Sequence, residues 1–337
     1  MIGHKTTLLI TLISAIAVHV SVSSIYEQSA KTAPLSNAVL VASINNTEPV
    51  APLYPAMKDS FSDSTSPVLH AGKGTRPRLD LAFCIDTTGS MQGEIDTVKT
   101  KVKSMVAKLS SAQPKPIVRV GLVAYRDKGD DYVTKVFPFS DDIDKVVNDI
   151  ADLNADGGGD RPEAVDAGLH AALNDLEWDA DRHTAKLLFL IGDAPPHSDR
   201  HDYDWKTESL QAGARGIRIN TIGCDGLEAA TDEGFAVFKQ IASSTNGNFQ
   251  TLSYHQEVID AAGQRETLIT SGGVTYRVKP MAKDDWKTGA EALVAKGLAA
   301  PAPSLQGATN GTIGAQNRGD SNLDDVMLTG AQQLIGK

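Results

Sequence analysis

The sequence is poor in cysteine and in aromatic side chains. Its 337 residues include two cysteines, Cys84 and Cys224, and 5% aromatic residues. Each cysteine lies inside or at the end of an apolar run, and neither has the spacing of a metal site. We therefore expect two buried free thiols, because even an oxidising compartment permits a disulfide without requiring one.

Clustered positive charge is also lacking. The chain has 32 Lys and Arg residues against 42 Asp and Glu residues, a formal net charge of -10, and no block of basic residues. Proteins that bind nucleic acid neutralise phosphates with clustered basic side chains, so we expect no nucleic-acid partner. Hydrophobic residues make up 41% of the chain, which is enough for a sizeable core.

No apolar run is long enough for a transmembrane helix, which needs about 20 apolar residues. The N-terminus instead has Lys5, an apolar stretch from Leu8 to Val20, and then the small residues Ser21, Ser23 and Ser24. This is the layout of a signal peptide, which we predict over residues 1–24. The mature chain would then be secreted, periplasmic or on the cell surface, without a transmembrane segment. An uncleaved membrane anchor is the alternative.

The rest of the chain divides by composition into three parts. Residues 25–77 mix Ser, Thr, Ala, Pro and Asn without periodicity, which predicts a flexible linker. Residues 78–262 alternate short β-rich runs with amphipathic segments of helical length. Residues 263–337 have a weaker pattern, which predicts a C-terminal extension with a short strand, GVTYRVKPM, and helices over 284–298 and 323–335.

The alternation over residues 78–262 predicts an α/β domain. Runs such as LAFCI and LLFLI are apolar at every position, as in strands that crossover helices cover on both faces. We therefore predict a doubly wound, mostly parallel sheet with helices on both faces. The short turn KGDD between IVRVGLVAYRD and YVTKVFPF predicts one antiparallel edge strand. The last segment of the alternation, YHQEVIDAAG, is expected to be a helix.

Oxygen-bearing side chains follow the first predicted strand, at Asp86, Thr88 and Ser90. Two further loops at the same edge are rich in oxygen, namely GGGDRPEA before a helix and GDAPPH, with Asp193, after a buried strand. Ligands of doubly wound sheets bind beyond the carboxyl ends of the strands, so the three loops should converge. Hard divalent cations such as Mg2+ prefer oxygen ligands. The alternative is that Thr88 and Ser90 only cap the following helix.

The segments DLAFCIDTTGSM, GGGDRPEA and LLFLIGDAPPH resemble the three loops of von Willebrand factor type A (vWA) domains, over roughly residues 78–262. The resemblance implies a Rossmann-like fold and a metal-ion-dependent adhesion site (MIDAS), in which Mg2+, or Mn2+ or Ca2+, is bound by Asp-x-Ser/Thr-x-Ser, a Thr and an Asp. The matching residues are Asp86, Thr88, Ser90 and Asp193. It also implies a secreted module of the bacterial type that binds a protein partner through an acidic side chain of that partner.

The second loop departs from the family pattern. Counted back from Gly168, which matches the family's helix glycine, the position of the family's Thr holds Glu163. Asp160 is the other candidate ligand in this loop. A carboxylate at this position would still bind a cation, but it adds negative charge and could occupy the place of the partner's acid.

Two other clusters lie near the same predicted edge. Tyr125, Arg126 and Asp127 end the second strand, where they either line the binding face or are solvated strand-end charges. His170, on an apolar helix, is expected to pack rather than to bind a ligand. The segment HSDRHDYD offers candidate ligands for a second metal, although solvated loops often contain such residues: His197, Asp199, His201, Asp202 and Asp204.

Two other functions stay open beside a binding module. A haloacid-dehalogenase-like, Mg2+-dependent phosphohydrolase also has an Asp after its first strand, but the place of its second Asp holds Thr88, which cannot act as a general acid. No Gly-x-Ser-x-Gly elbow or Cys/His pair indicates another enzyme, so we predict a protein that is not an enzyme. A structural envelope protein with a vestigial metal site is the other alternative.

Overall fold

A computed structural model describes residues 76–111, 115–198, 202–227, 233–259, 263–280, 285–302 and 320–335. The predicted signal peptide and all but the last two residues of the predicted linker lie outside these ranges. None of the helices in the described ranges is long and apolar enough to cross a membrane.

The first sheet has six strands in the order β3-β2-β1-β4-β5-β6. Its strands are β1 (Arg78–Asp86), β2 (Ile117–Tyr125), β3 (Thr134–Ser140), β4 (Thr184–Gly192), β5 (Ile217–Gly223) and β6 (Phe249–Thr251). All neighbours are parallel except β2 and β3, which are antiparallel at the sheet edge. The predicted doubly wound sheet with one antiparallel edge strand is confirmed.

Helices cover both faces of this sheet. They are α1 (Gln92–Ser110), α2 (Ile143–Ala151), α3 (Val165–Asn174), α4 (Trp205–Ala214) and α5 (Gly234–Ser243). Successive side chains of a strand point to opposite faces, so β1 contributes to two separate cores. Phe83 and Ile85 pack with α1 and α2, whereas Ala82 and Cys84 pack with α3, α4 and α5.

The helix α1 covers its side of the sheet with one apolar stripe. Its buried residues recur every three or four positions, the spacing that keeps side chains on one helix face, and they are Ile95, Val98, Val102, Met105, Val106 and Leu109. Both cysteines are buried free thiols, as predicted.

A second, antiparallel sheet of five strands follows, in the order β10-β9-β8-β7-β11. Its strands are β7 (Ser253–Ile259), β8 (Arg265–Ser271), β9 (Val274–Val278), β10 (Ala299–Pro301) and β11 (Asp320–Ser321). The prediction of a helix for YHQEVIDAAG was wrong. Backbone pairing with β8 and β11 on either side outweighs the weak helical pattern of this short segment.

The other elements of the C-terminal part match the sequence pattern in most respects. The predicted strand GVTYRVKPM contains β9, and the predicted helix over 323–335 is α7 (Leu323–Ile335). The predicted helix over 284–298 is shorter, with a 3-10 turn at Trp286–Thr288 and α6 at Ala290–Ala295. Gly289 separates the two at φ +90°, a conformation that interrupts a helix and that glycine adopts without strain.

The helix α7 returns to the first sheet and packs on α1 and β4. Leu323, Met327 and Ala331 are fully buried in the same core as the α1 stripe. Lys108 of α1 donates a hydrogen bond to Asp324 at 2.8 Å, which adds an ion pair at the rim of this contact. The C-terminal helix is therefore part of the core of the first sheet.

Candidate metal centre

The first loop begins where β1 ends, at the buried residue Asp86. Asp86 Oδ1 accepts hydrogen bonds from the backbone N–H of Thr88 at 2.9 Å and from Thr88 Oγ1 at 2.7 Å. Ser90 Oγ lies 3.4 Å from Thr88 Oγ1, in the 3-10 turn that leads into α1. Thr88 precedes this turn but makes no capping hydrogen bond with its side chain. Its hydroxyl therefore orients the Asp86 carboxylate, and the interpretation of Thr88 as a helix cap was wrong.

The second and third loops join each other through the backbone of Glu163. Its N–H donates to the carbonyl of Pro195 at 3.0 Å, and Glu163 forms an isolated β-bridge with Pro196. Asp193 follows β4 and begins the third loop, and a hydrogen bond links its side chain to Ser90 of the first loop. The three loops therefore converge at one edge of the sheet, as predicted.

Gly158 shows how close the Glu163 carboxylate lies to the first loop. A Cβ atom added to Gly158 would lie 2.8 Å from Glu163 Oε1 and 2.8 Å from Thr88 Cβ. The Glu163 and Thr88 side chains therefore flank the same glycine. Asp160, the other second-loop candidate, is exposed to solvent.

The carboxylates at the centre are deeply buried. Asp86 is 0% exposed, Glu163 4% and Asp193 6%, and neither Asp86 Oδ2 nor Glu163 Oε2 has a hydrogen-bond partner. Burial, followed by the charge of Asp193, raises the pKa of Asp86 to about 8. Burial, followed by the charge of Asp86, raises the pKa of Glu163 to about 9. Burial also raises the pKa of Asp193 above its usual value.

Neighbouring cations do not neutralise the two innermost acids. In the described structure, no basic side chain is among the main influences on the pKa of Asp86 or of Glu163. The Arg161 guanidinium donates to the carbonyls of Asp193 and Gly226 and lowers the pKa of Asp193 by its charge. The Arg126 guanidinium donates to the carbonyls of Thr87, at 3.1 Å, and Asn154, at 2.9 Å. The centre therefore has more acidic than basic groups, and the raised pKa values mean that Asp86 and Glu163 keep their protons at neutral pH when no cation is bound.

The residues at the end of β2 lie next to the candidate metal centre. Tyr125, Arg126 and Asp127 are all buried, so the interpretation of the last two as solvated charges was wrong. Burial, followed by the charge of Asp86, raises the pKa of Tyr125 well above its usual value, and the Tyr125 side chain in turn lowers the pKa of Asp86, although less than burial raises it. Asp127 pairs with His197 at 2.6 Å between Oδ1 and Nε2.

The proposed second metal cluster in HSDRHDYD does not assemble from its described members. His197 is buried against Asp127, Asp202 pairs with Lys128 at 3.0 Å, and Asp204 accepts hydrogen bonds as the N-cap of α4. Asp199 and His201 lie outside the described residues. His170 does more than pack, because its Nδ1 lies 3.0 Å from Glu208 Oε1.

Sequence reasoning missed two residues that organise the centre, His197 in its pairing role and Asp130. Asp130 Oδ2 accepts hydrogen bonds from the N–H groups of Asp127 and Gly158, both at 3.0 Å, and so fixes the second loop. No sequence motif marks either residue, because the contact of His197 with Asp127 and that of Asp130 with Gly158 join loops far apart in the chain.

In the described ranges, no three His, Cys, Asp or Glu side chains form a metal site by themselves. A cation here would need the hydroxyls of Thr88 and Ser90 as well.

The sequence model of the von Willebrand factor A domain matches residues 80–253, just over half of the chain. The chain therefore belongs to the von Willebrand factor A domain family. The fold agrees, with its mostly parallel sheet, one antiparallel strand and helices on both faces.

Two curated relatives match part of the chain. Human von Willebrand factor A domain-containing protein 7 is 34% identical over 122 residues, which cover 36% of this chain and 12% of that protein. The alpha-protein kinase vwkA of Dictyostelium discoideum is 26% identical over 151 residues, which cover 44% of this chain and 23% of that protein. This chain thus spans less than a quarter of either relative.

Solved structures match part of the chain at low identity. The mussel byssus proximal thread matrix protein 1, with a zinc-occupied MIDAS motif, has a TM-score of 0.41 and 19% identity, and the match covers 52% of this chain and 42% of that chain. The VWA domain of SpRpn10 has a TM-score of 0.39 and 14% identity, and covers 52% of this chain and 87% of that chain. Matches at this level carry no inference about the site described above.

Proposed function

We propose that this chain is a secreted or surface-exposed vWA module that binds a protein partner through a divalent cation. The cation is Mg2+, or Mn2+ or Ca2+, and its ligands come from three loops: Asp86, Thr88, Ser90, Glu163 and Asp193. Family membership supports a role in protein interaction. Secretion rests on the signal-like N-terminus, which lies outside the described residues.

The observation that carries the proposal is the pair of unpartnered oxygens, Asp86 Oδ2 and Glu163 Oε2. Buried charges cost several kcal/mol unless a partner compensates them. Two buried acids without a cationic partner, next to a third acid and two hydroxyls, make a set of hard oxygen donors. Mg2+ and Ca2+ prefer such donors, so these residues fit a divalent cation.

The cation would supply positive charge at the sheet edge, where an acidic side chain of a partner can bind. This chain's own residues would orient it, with Thr88 positioning Asp86 and the Glu163 backbone connecting the second and third loops. Glu163 adds negative charge where the family has a neutral hydroxyl. The net attraction for a partner's acid is therefore weaker than with threonine at this position.

Thermal denaturation tests the cation site. Mg2+ added after EDTA should raise the melting temperature, because a ligand that binds only the folded state stabilises it, by about 2.7 kcal/mol at a hundredfold excess over its Kd. Asp86→Ala and Asp193→Ala should abolish the gain, whereas Asp141→Ala, at an exposed position, should preserve it. If Mg2+ raises the melting temperature of Asp86→Ala and Asp193→Ala as much as that of wild type, these residues do not bind the cation.

Partner binding requires its own experiment. Affinity capture from the host envelope, with and without EDTA, should give a partner that is lost on chelation and lost with Asp86→Ala. A protein that is captured equally by wild type and Asp86→Ala in EDTA would contradict binding through the cation. Turnover of phosphate esters, if present and lost in Asp86→Ala, would contradict the proposal of a protein that is not an enzyme.

A further inference from the structure

A loop that follows β5 lies against the candidate metal centre. We call it the fourth loop, and it covers residues 224–227. The backbone N–H of Cys224 donates to the carbonyl of Gly192, the last residue of β4, at 2.9 Å. A Cβ atom added to Gly226 would lie 3.4 Å from the carbonyl oxygen of Asp193 and 3.7 Å from Asp193 Oδ2. The fourth loop therefore packs directly on a proposed ligand of the cation.

The fourth loop also contacts the second loop. The Arg161 guanidinium donates to the carbonyl of Gly226 and, at 3.3 Å, to that of Asp193. Asp225 lies close enough to Asp193 for its charge to act there, since burial raises the pKa of Asp193 most and the Asp225 carboxylate raises it further. The second, third and fourth loops are therefore linked to one another.

The second sheet reaches the fourth loop through a hairpin. Asp225 Oδ1 accepts a hydrogen bond from the backbone N–H of Gly273 at 3.1 Å. Gly272 and Gly273 form the two-residue turn between β8 and β9, and both have a positive φ, +56° and +69°. Turns of this kind match the twist of the strands beside them, so β8 and β9 set the position of the hairpin tip.

A second contact holds the hairpin against the same loop. Ser271 Oγ, in the last residue of β8, donates to the carbonyl of Leu252 at 3.2 Å in a buried position. The N–H of Leu252 donates in turn to the carbonyl of Gly223, the last residue of β5, at 2.9 Å. The hairpin is therefore connected to the fourth loop through Leu252 as well as through Asp225.

We propose that Asp225 is a positioning residue for the metal centre, which ties the loop packed on Asp193 to the tip of the β8–β9 hairpin. The inference rests on the proposed function for the cation itself. A carboxylate that accepts from a backbone N–H makes a charge-assisted hydrogen bond, which is stronger than a neutral one. Through Asp225 and Gly226, the C-terminal sheet then restrains Asp193. Because coupling between two sites is reciprocal, a bound cation also restrains the hairpin.

Calorimetric titration of Mn2+ into the full chain tests this role with two substitutions at one position. Asp225→Asn removes the charge but keeps an oxygen that can accept from Gly273, whereas Asp225→Ala removes both. Asp225→Ala should raise the Kd for Mn2+ about tenfold, within the usual range of coupling between sites, and Asp225→Asn should restore most of the affinity. The control is Glu266→Ala, which breaks the pair with Arg277 between the same two strands and should leave the Kd unchanged.

Hydrogen exchange gives a readout from the hairpin itself. In wild type, Mg2+ added after EDTA should slow the exchange of the backbone N–H groups of residues 265–278, because the bound cation restrains the hairpin. This protection should be absent in Asp225→Ala and present in Asp225→Asn and Glu266→Ala. If Asp225→Ala does not fold, the wild-type measurement decides, and a hairpin whose exchange Mg2+ leaves unchanged contradicts the coupling.

The outcomes separate this inference from the proposed function. If wild type and Asp225→Ala bind Mn2+ with the same Kd, the cation site stands and the role of Asp225 is wrong. If Asp225→Asn binds as weakly as Asp225→Ala, the charge of Asp225 rather than its hydrogen bond supports the cation, and the inference is overturned. If wild type binds no Mn2+, the cation site of the proposed function is wrong, and the coupling with it.

Discussion

His197 Nε2 lies 2.6 Å from Asp127 Oδ1, and both side chains are almost completely buried. The pair joins the third loop, which carries His197, to the end of β2. Asp127 also contributes to the raised pKa of Glu163, although less than burial and the charge of Asp86. The pair therefore fixes two of the elements that position the metal centre.

Loss of this pair should destabilise the fold. In Asp127→Asn, His197 loses the carboxylate that its buried Nε2 contacts, and leaving a buried polar group without its partner typically costs about 1–3 kcal/mol. Urea denaturation measures the difference. The control is Asp202→Asn, which breaks the exposed pair with Lys128 and should cost less than about 1 kcal/mol. Equal costs for the two variants would mean that the buried pair contributes little.

Two neighbouring glycines offer a matched test of loop packing. Gly158→Ala adds a Cβ at φ +72°, in contact with both Thr88 and Glu163. We expect it to cost about 1–3 kcal/mol in stability and to weaken Mn2+ binding, because it displaces two ligand side chains. Gly159→Ala is the control, since its added Cβ has no atom within 4 Å. Denaturation and Mn2+ titration of both variants decide the matter, and equal effects would contradict the described packing.

Glu163 distinguishes this site from the general family pattern. If it binds the cation, Glu163→Gln and Glu163→Thr should each raise the Kd for Mn2+ roughly tenfold, about 1.4 kcal/mol. Glu163→Thr should also leave a more electropositive centre for an acidic partner. Calorimetric titration of Mn2+ is the measurement, with the exposed Asp160→Asn as control.

A role of Glu163 at the helix end predicts a different result. That role would cost about 0.3–1 kcal/mol in stability, equally with and without metal. The structure disfavours it, because α3 begins at Val165 and the acid in its first turn is Asp166. Identical Kd values for wild type and both Glu163 variants would mean that Glu163 is not a ligand of the cation. Asp160 or a water molecule would then be the ligand at the second loop.

The raised pKa values predict how stability depends on pH without metal. The pKa of Asp86 rises from 3.8 to about 8 and that of Glu163 from 4.5 to about 9. A carboxyl with a raised pKa in the folded state binds its proton more tightly there, so its contribution to stability is present below about pH 4 and is lost as the pH rises towards 8 or 9.

In EDTA, these two groups should therefore lower the melting temperature from pH 5 to pH 9, and the gain from Mg2+ should grow over the same interval. Differential scanning calorimetry across this range provides the test. Asp86→Asn should flatten the pH dependence, because its side chain does not titrate. A wild-type profile that rises in EDTA, or that matches Asp86→Asn, would show that these acids do not titrate as described.

The docked C-terminal helix makes a further prediction. Met327→Ala removes a fully buried side chain of α7 and should cost about 2–5 kcal/mol. Thr329→Ala, on the exposed side of the same helix, is the control and should cost less than about 0.5 kcal/mol. Equal unfolding midpoints for the two variants would contradict the docking of α7 on α1.

Patterns local in sequence predicted the fold well. The fully apolar run LAFCI predicted the central strand β1, because its residues must face two cores. The helix prediction for YHQEVIDAAG failed because tertiary pairing decides the structure of this segment. Its first six residues, YHQEVI, lie in β7, which pairs with β8 and β11. Sequence reasoning weighs local periodicity and has no access to the partner strands.

The sequence predicted the convergence of the loops where their residues belong to a motif, and the binding role of these residues stays a prediction. Asp86, Thr88, Ser90 and Asp193 lie on converging loops, since strand ends of a parallel sheet share an edge. The sequence did not predict the contacts that hold these loops in place. His197 in a loop of charged residues looks solvated, and only the folded chain shows that it is buried against Asp127.

Chain order has a consequence for biosynthesis. The helix α7 follows the whole second sheet in sequence, yet it completes the core that β1 and α1 begin. A nascent chain therefore cannot close this core on the ribosome until residue 335 has emerged. Until then the apolar surfaces of α1 and β4 stay open to chaperones, and a fragment that stops at residue 253, where the family match ends, carries the same uncovered surface permanently.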